Sequence, residues 1–495
     1  MLNQKNKSYQ EFKNIIIKLQ KSGEDYNVYP MSLEMLSDMY TPMRVMKTLK
    51  SPNSSAKHCF VLESVGEGEK FDRYTFLGYN PNPELKINSS QDGDLNERIK
   101  EVLKKYKAPK LEELPPFCGG LVGYFAYDYA KYYESSLELN AKDRCFFQDV
   151  DLMLFDKVIA FDNKHHKVTL IVNVRIDDDN NLKSEYERGY AELEKLKNLV
   201  KSIEDVQSPP QAKLKSEWNA LFSKDEYCEM VEKAKHYIKE GDIFQVVLSN
   251  RFEADFEGSL FDTYRVLRGM NPSPYMFYFS GDDFEFAGAS PETLVKLENG
   301  RLYTYPLAGT RKRGKDDIED KALEKELLAD EKELAEHNML VDLGRNDLGK
   351  IAKFGSVKVN KKDYKRILRF SHVMHIGSVV SADILDSKTG LDAIGAVLPA
   401  GTLSGAPKIR AMQIIDELEG CKRGIYGGAI GYLDFTGNMD TCIAIRLAYK
   451  KGNKIFVRSG AGIVADSNPE NEYQECVNKA AAVKTALEQS QGGLD

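Results

Sequence analysis

DLMLFDKVIAFD (residues 151–162) and KVTLIVNV (residues 167–174), separated by the polar connector 163–166, set the fold class. Two apolar runs of strand length joined by a short polar turn read as an antiparallel hairpin rather than a βαβ unit. Upstream, CFVLES (59–64), RYTFLGY (73–79) and GGLVGYFAY (119–127) repeat the pattern of short β-rich runs between turn signals. A helix is expected over 183–203, with Tyr186, Tyr190, Leu193, Leu196 and Val200 on one face. The segment VQSPPQAKLK (206–215) has no hydrophobic period, which places a linker at 206–218 between an N-terminal β-rich region (1–205) and a larger unit (219–490).

Past the linker, Ser223 followed by Glu226 forms a capping box that opens a helix ended by Gly241. Strands follow at 243–252, 428–435, 441–449 and 454–459. A long charged helix is expected from 319 to about 343 with Leu323, Leu327, Leu334 and Leu340 as its buried stripe, and a last helix is capped by Asn468 and opened by Pro469. The fold class is α+β, with antiparallel β-sheets stacked as a sandwich and helices outside.

Composition narrows the function. The 495 residues are 42% apolar with 69 basic and 76 acidic side chains, enough for a sizeable core and too little net charge for disorder. A net charge of -7 offers no electrostatic footprint for nucleic acid or an anionic membrane. Seven scattered cysteines without a C-x-x-C pair exclude a disulfide framework or zinc ribbon and point to a reducing compartment. With no apolar h-region at the start and no run of 18 apolar residues, no membrane partner and a cytoplasmic location are expected.

Glu333 and Glu336 lie three apart on one helix, as do Glu472 and Glu475 on the last. Residues so spaced share a helix face, and like charges there repel. Solvated, such pairs are ordinary Glu-rich surface; converging, they need a hard divalent cation, Mg2+ above all. Lys479, four residues after Glu475, fits either a plain helix ion pair or a clamp on a substrate anion. His375 shares a β-like run with His372, three residues away and therefore on the other side of a strand. Arg446 is the one charge inside TCIAIRLAY, where a guanidinium requires either a carboxylate or a bound anion. The stretch from Gly309 to Lys315 almost spells a phosphate-binding loop, yet Asp316 and Asp317 follow where Ser or Thr belongs, which excludes a nucleotide.

Taken together, GDIFQVVLS, NPSPYMFY, ASPET, PLAGTRKRG, EHNMLVDLGRNDLG, HVMHIGS, PAGTLSGAPK, YGGAIGY, DTCIAIR and GAGIVADSNPENEYQE, collinear between 241 and 483, resemble the chorismate-utilising enzymes, most closely the anthranilate synthase component I branch. The resemblance implies addition of ammonia to C2 of chorismate, loss of the C4 hydroxyl and elimination of pyruvate. It implies Mg2+ held by Glu336 and Glu475 directly, with Glu333 and Glu472 acting through water. Glu292 matches the general acid and His375 the catalytic histidine. Tyr426 and Arg446 match the holders of the enolpyruvyl carboxylate, while Gly309, Thr310, Thr402, Gly460, Gly462 and Lys479 line the rest of the substrate pocket. Gln245 stands where water-adding relatives carry a lysine base, and Ala308 where aminodeoxychorismate synthases often carry an attacking lysine.

The resemblance extends to a tryptophan regulatory pocket built from Leu62, Glu63 and Ser64, from Asn271, Pro274, Tyr275 and Met276, and from Ile430 and Tyr432. It also implies a separate glutamine amidotransferase subunit, anthranilate synthase component II, as the ammonia source, since no cysteine here sits in a Gly-rich nucleophile elbow. The alternatives are an aminodeoxychorismate synthase component I and a non-catalytic tryptophan-binding subunit. Gly377 departs from the larger residue that relatives mostly carry, an exchange expected to loosen the strand beside His375.

Overall fold

The computed structural model describes residues 8–65, 73–83, 86–89, 93–177, 181–202, 207–369 and 373–494. His372 and Val206 fall outside them. Two large antiparallel sheets and one small one organise these residues. The largest, with thirteen strands, runs from Val28–Leu36 through Lys167–Arg175, Lys157–Asp162, Tyr74–Tyr79 and Cys59–Glu63. It continues through Tyr275–Ser280, Phe284–Ser290, Leu447–Lys451 and Lys454–Ile463 to Gln245–Glu257. A nine-stranded sheet is centred on Thr293–Glu298, Met439–Ile443, Ala429–Asp434 and Gly120–Phe125.

Strands from either side of 206–218 pair in both sheets: Leu62 lies opposite Phe277 in one, and Ile430 opposite Tyr124 in the other. The expected linker is itself partly ordered, Lys213–Leu214 pairing with the end of Gln245–Glu257. Phe60, Phe117, Phe155, Phe277, Phe286 and Leu433 fill the space between the two sheets. At about 2–3 kcal/mol for each fully buried phenylalanine, this layer is the main reason the sheets stay apposed. Helices Tyr9–Gln20, Pro42–Lys50, Leu182–Lys201, Phe261–Met270 and Pro469–Gln489 cover the opposite face of the larger sheet.

Two runs that read as single strands are each divided between the sheets. DLMLFDKVIAFD becomes Val150–Phe155 in the nine-stranded sheet and Lys157–Asp162 in the larger one, with the crossing at Asp156. The hairpin Lys157–Asp162 with Lys167–Arg175 is as expected, Asp162 facing Lys167. TCIAIRLAY divides between Met439–Ile443 and Leu447–Lys451, and Arg446 takes φ of 49° at the crossing. Buried on both sides of the crossing, such runs lack the alternation that would mark an end.

The long helix expected at 319–343 is two helices, Asp317–Ala329 and Glu331–Gly349. Asp330 interrupts it because its carboxylate accepts the amides of Lys332 and Glu333 at 3.0 and 3.2 Å, an N-cap arrangement. Ser223 and Glu226 form the expected capping box.

Candidate active site and adjacent cavity

Phe284–Ser290 and Leu447–Lys451 pair in the larger sheet, and their continuations Thr293–Glu298 and Met439–Ile443 pair in the smaller one. The two bent strands therefore turn one corner together, which is how strands pass between stacked sheets. Glu292 lies on the first bend and Arg446 on the second, with Ile443 N donating to Glu292 O at 3.0 Å and Ala289 N to Arg446 O at 3.1 Å.

Glu292 Oε1 accepts the Thr402 hydroxyl at 3.1 Å. Burial pushes the Glu292 carboxyl up to about 7, against the pull of Thr402, Arg446 and Lys479. Burial likewise lowers the Arg446 guanidinium from its ordinary value, with Glu292 opposing. A carboxyl held half-protonated near neutrality suits a general acid.

His375 sits on Val373–Gly377, the middle strand of the small sheet formed with Leu307–Lys312 and Arg366–Arg369. Its Nδ1 lies 3.0 Å from Gly309 O and 3.1 Å from Thr310 Oγ1. A carbonyl oxygen only accepts, so Nδ1 carries the proton and Nε2 the lone pair. Burial, with Arg446 adding to it, depresses the imidazole pKa and keeps it neutral. Gly309 has φ of 68° and lies in a bulge; a Cβ there would come within 3.2 Å of Glu333 Oε2. A close approach of this kind requires glycine.

Glu336 and Glu475 come within electrostatic reach of one another, which links the two glutamate pairs. Burial raises the Glu336 pKa, and Glu333 and Glu475 raise it further. Burial raises Glu472 as well, with Glu475 adding to the effect. Glu333 is also bonded to Arg311 at 3.1 Å, and Glu475 to Lys479 at 2.7 Å. Among the described residues, no three His, Cys, Asp or Glu side chains converge as a ready-made metal cage. Paired carboxylates without a cage suit Mg2+, which keeps several waters, better than Ca2+.

Lys479 makes the helix ion pair with Glu475, and its Nζ also donates to Gly460 O at 3.1 Å. A Cβ on Gly460 would meet the buried Tyr426 hydroxyl at 3.1 Å, and one on Gly462 would meet Gln245 Nε2 at 2.8 Å. The expected catalytic, substrate and carboxylate residues thus form one connected group. The phosphate-loop resemblance fails as expected: the amides of Gly314 and Lys315 are taken by Asp320 and Glu319 at 2.8 Å each. Gly377 pairs on both sides, with Leu307 and Arg366, and Leu368 occupies the space its side chain would take. The strand is bracketed there rather than loosened.

A cavity of about 1520 Å³ lies between the two halves of the chain and is lined by Leu62, Glu63, Ser64, Pro274, Tyr275, Met276, Ile430 and Tyr432. Asn271 is not in its lining; it ends the helix Phe261–Met270. The Glu63 carboxylate is already satisfied by Tyr264 at 2.5 Å, by Arg268 and by Thr75. Among the described residues, the buried Ser64 hydroxyl has no hydrogen-bond partner. Asp440, Thr293, Leu307 and Leu368 also line the cavity and were missed: the first three come from segments read for another purpose, and Leu368 from a segment not read at all. Asp440 receives the Tyr275 hydroxyl at 2.9 Å.

The model of the chorismate binding enzyme family matches residues 57–485. Anthranilate synthase component 1 of Acetivibrio thermocellus is 46% identical over 94% of this chain and 97% of that protein. The protein of the same name from Aquifex aeolicus (strain VF5) is 45% identical over 95% and 97%. The crystal structure of anthranilate synthase component I from Streptococcus pneumoniae TIGR4 superposes with a TM-score of 0.71 at 38% identity, covering 91% of this chain and 98% of that one. MenF, the menaquinone-specific isochorismate synthase of Escherichia coli, shares the fold at a TM-score of 0.71 and 20% identity, covering 96% and 99%. This chain is an enzyme that belongs to the chorismate binding family, on the branch of the anthranilate synthase component 1 proteins.

Proposed function

We propose that the chain is the large subunit of an anthranilate synthase. It turns chorismate and ammonia into anthranilate, pyruvate and water, takes ammonia from a glutamine amidotransferase partner, requires Mg2+ and is inhibited by tryptophan bound in the large cavity. It works in the cytoplasm. The observation that carries this reading is Glu292, a buried carboxyl with its pKa near 7 beside Arg446 and Thr402.

Glu292 protonates the departing C4 hydroxyl, which leaves as water while ammonia adds at C2. The neutral His375, with the lone pair on Nε2, is the base for the ring proton lost as the enolpyruvyl group leaves as pyruvate and the ring becomes aromatic. Arg446 and Tyr426 hold the enolpyruvyl carboxylate, and Lys479 the rim of the pocket. When bound, Mg2+ neutralises and orients the ring carboxylate, held by Glu336 and Glu475 with Glu333 and Glu472 behind them. Gln245 is uncharged where water addition would call for a basic residue, which supports a neutral ammonia nucleophile. Incubation of the chain with chorismate, Mg2+ and ammonium at mildly alkaline pH should give anthranilate by fluorescence and mass. A product aminated at C4, or isochorismate, would overturn the reading.

A further inference from the structure

Lys408 is the first residue of the helix Lys408–Glu419, and Asp347 lies in the last turn of Glu331–Gly349. Each charge is at the unfavourable end of its helix dipole, a cation at the positive end and an anion at the negative end. Both side chains are also buried, 10% and 4% exposed. A buried ion pair seldom improves stability over well-packed apolar residues, so this placement calls for another purpose.

The contacts supply one. Lys408 Nζ bonds Asp347 Oδ2 at 2.7 Å and donates to Val397 O at 2.7 Å, closing residues 397–408 into a loop whose base is tied to the carboxylate-bearing helix. Within that loop Gly401 packs directly on the same helix: a Cβ there would lie 2.6 Å from Leu343 Cδ1. The next residue, Thr402, makes the 3.1 Å hydrogen bond to Glu292. Glu333 and Glu336 stand two to three turns earlier on that helix.

We infer that the Lys408–Asp347 ion pair is a positioning device: it fixes the loop on the helix that bears Glu333 and Glu336, so that Thr402 stays bonded to Glu292 in register with those carboxylates. This rests on the acid role of Glu292 proposed above.

The test uses the full chain with chorismate, Mg2+ and ammonium. The double variant Asp347→Leu with Lys408→Met removes both charges and orphans neither, so its unfolding midpoint should stay near that of the wild type. Its kcat should fall about 100-fold, the order expected for a misplacement of about 1 Å. The alkaline limb of its pH profile should move to higher pH, as it also should in Thr402→Val, because Thr402's donated bond favours the ionised carboxylate. Lys408→Arg, which keeps the charge, should recover most of the activity. Amide exchange across residues 399–406 should accelerate at least about tenfold as the loop opens locally.

A double variant with the wild-type kcat, pH profile and exchange rates would overturn the proposal. If the double variant does not fold, Asp347→Asn, which keeps shape and removes charge, is read by the same criteria. Absence of anthranilate from the wild type would instead defeat the proposed reaction, while the exchange rates would still decide whether the pair pins the loop.

Discussion

Glu292 and Arg446 occupy one corner of the fold, each on a bend where a strand passes between the thirteen-stranded and nine-stranded sheets. The corner puts a carboxyl and a guanidinium in a partly buried place, and burial dominates both ionisations. The arginine alone would depress the carboxyl; desolvation outweighs it.

Glu292→Gln should therefore lower kcat by about 10²–10⁴-fold, the contribution of a positioned acid, with chorismate binding little changed. The acid must be protonated to act, so the wild-type kcat/KM should fall as pH rises through the Glu292 pKa of about 7. A pH profile whose falling limb persists unchanged in the glutamine variant would assign that limb to another group.

Local chemistry was legible in the sequence and long-range placement was not. Glu333 with Glu336 and Glu472 with Glu475 are visible as pairs because three residues span most of one helical turn. Their meeting depends on helices more than a hundred residues apart. The corner was hidden because TCIAIRLAY, apolar apart from Arg446, reads as one unbroken strand, and 284–298 was not read as a strand. Lys408 ends the motif PAGTLSGAPK and was given no role, though a lysine opening a helix is a signal in itself; its partner Asp347 is 61 residues away. The break at Asp330 was readable as an N-cap and was outweighed by the regular leucine spacing.

The carboxylate pairs give a second prediction. Glu336→Gln or Glu475→Gln should abolish turnover at ordinary Mg2+, with partial recovery as Mg2+ is raised. Activity titrated against Mg2+ reads this directly. Wild-type activity and Mg2+ dependence in both variants would remove the proposed metal site.

Ser64 carries a third. Its hydroxyl is buried in the cavity wall without a partner among the described residues, and an unsatisfied buried hydroxyl is costly, so a ligand that bonds it gains the difference. Ser64→Ala should weaken inhibition by tryptophan about tenfold, the equivalent of roughly 1.4 kcal/mol for one hydrogen bond, and leave kcat unaltered. Pro274→Ala should act in the same direction by relaxing the opposing wall. Inhibition curves at fixed chorismate decide it, and unchanged curves in both variants would move the tryptophan site elsewhere.

Gly377 tests how far that cavity communicates with the reaction. It lines the cavity together with Leu307 and Leu368, and it lies two residues from His375 on the same strand. A Cβ there would meet Leu368 Cδ1 at 2.5 Å and Leu307 Cδ2 at 3.1 Å. Both obstacles are the far ends of flexible side chains, so Gly377→Ala should fold and push leucine atoms into the cavity. Overpacking of this kind costs about 1–3 kcal/mol, so tryptophan inhibition should weaken by about tenfold or more. A tryptophan-sensitive shift of the site requires the strand to hold different positions in the two states. If it does, kcat without tryptophan should also change, because His375 moves with the strand. Weaker inhibition with an unaltered kcat would confine the effect to binding and leave the coupling to run through another element.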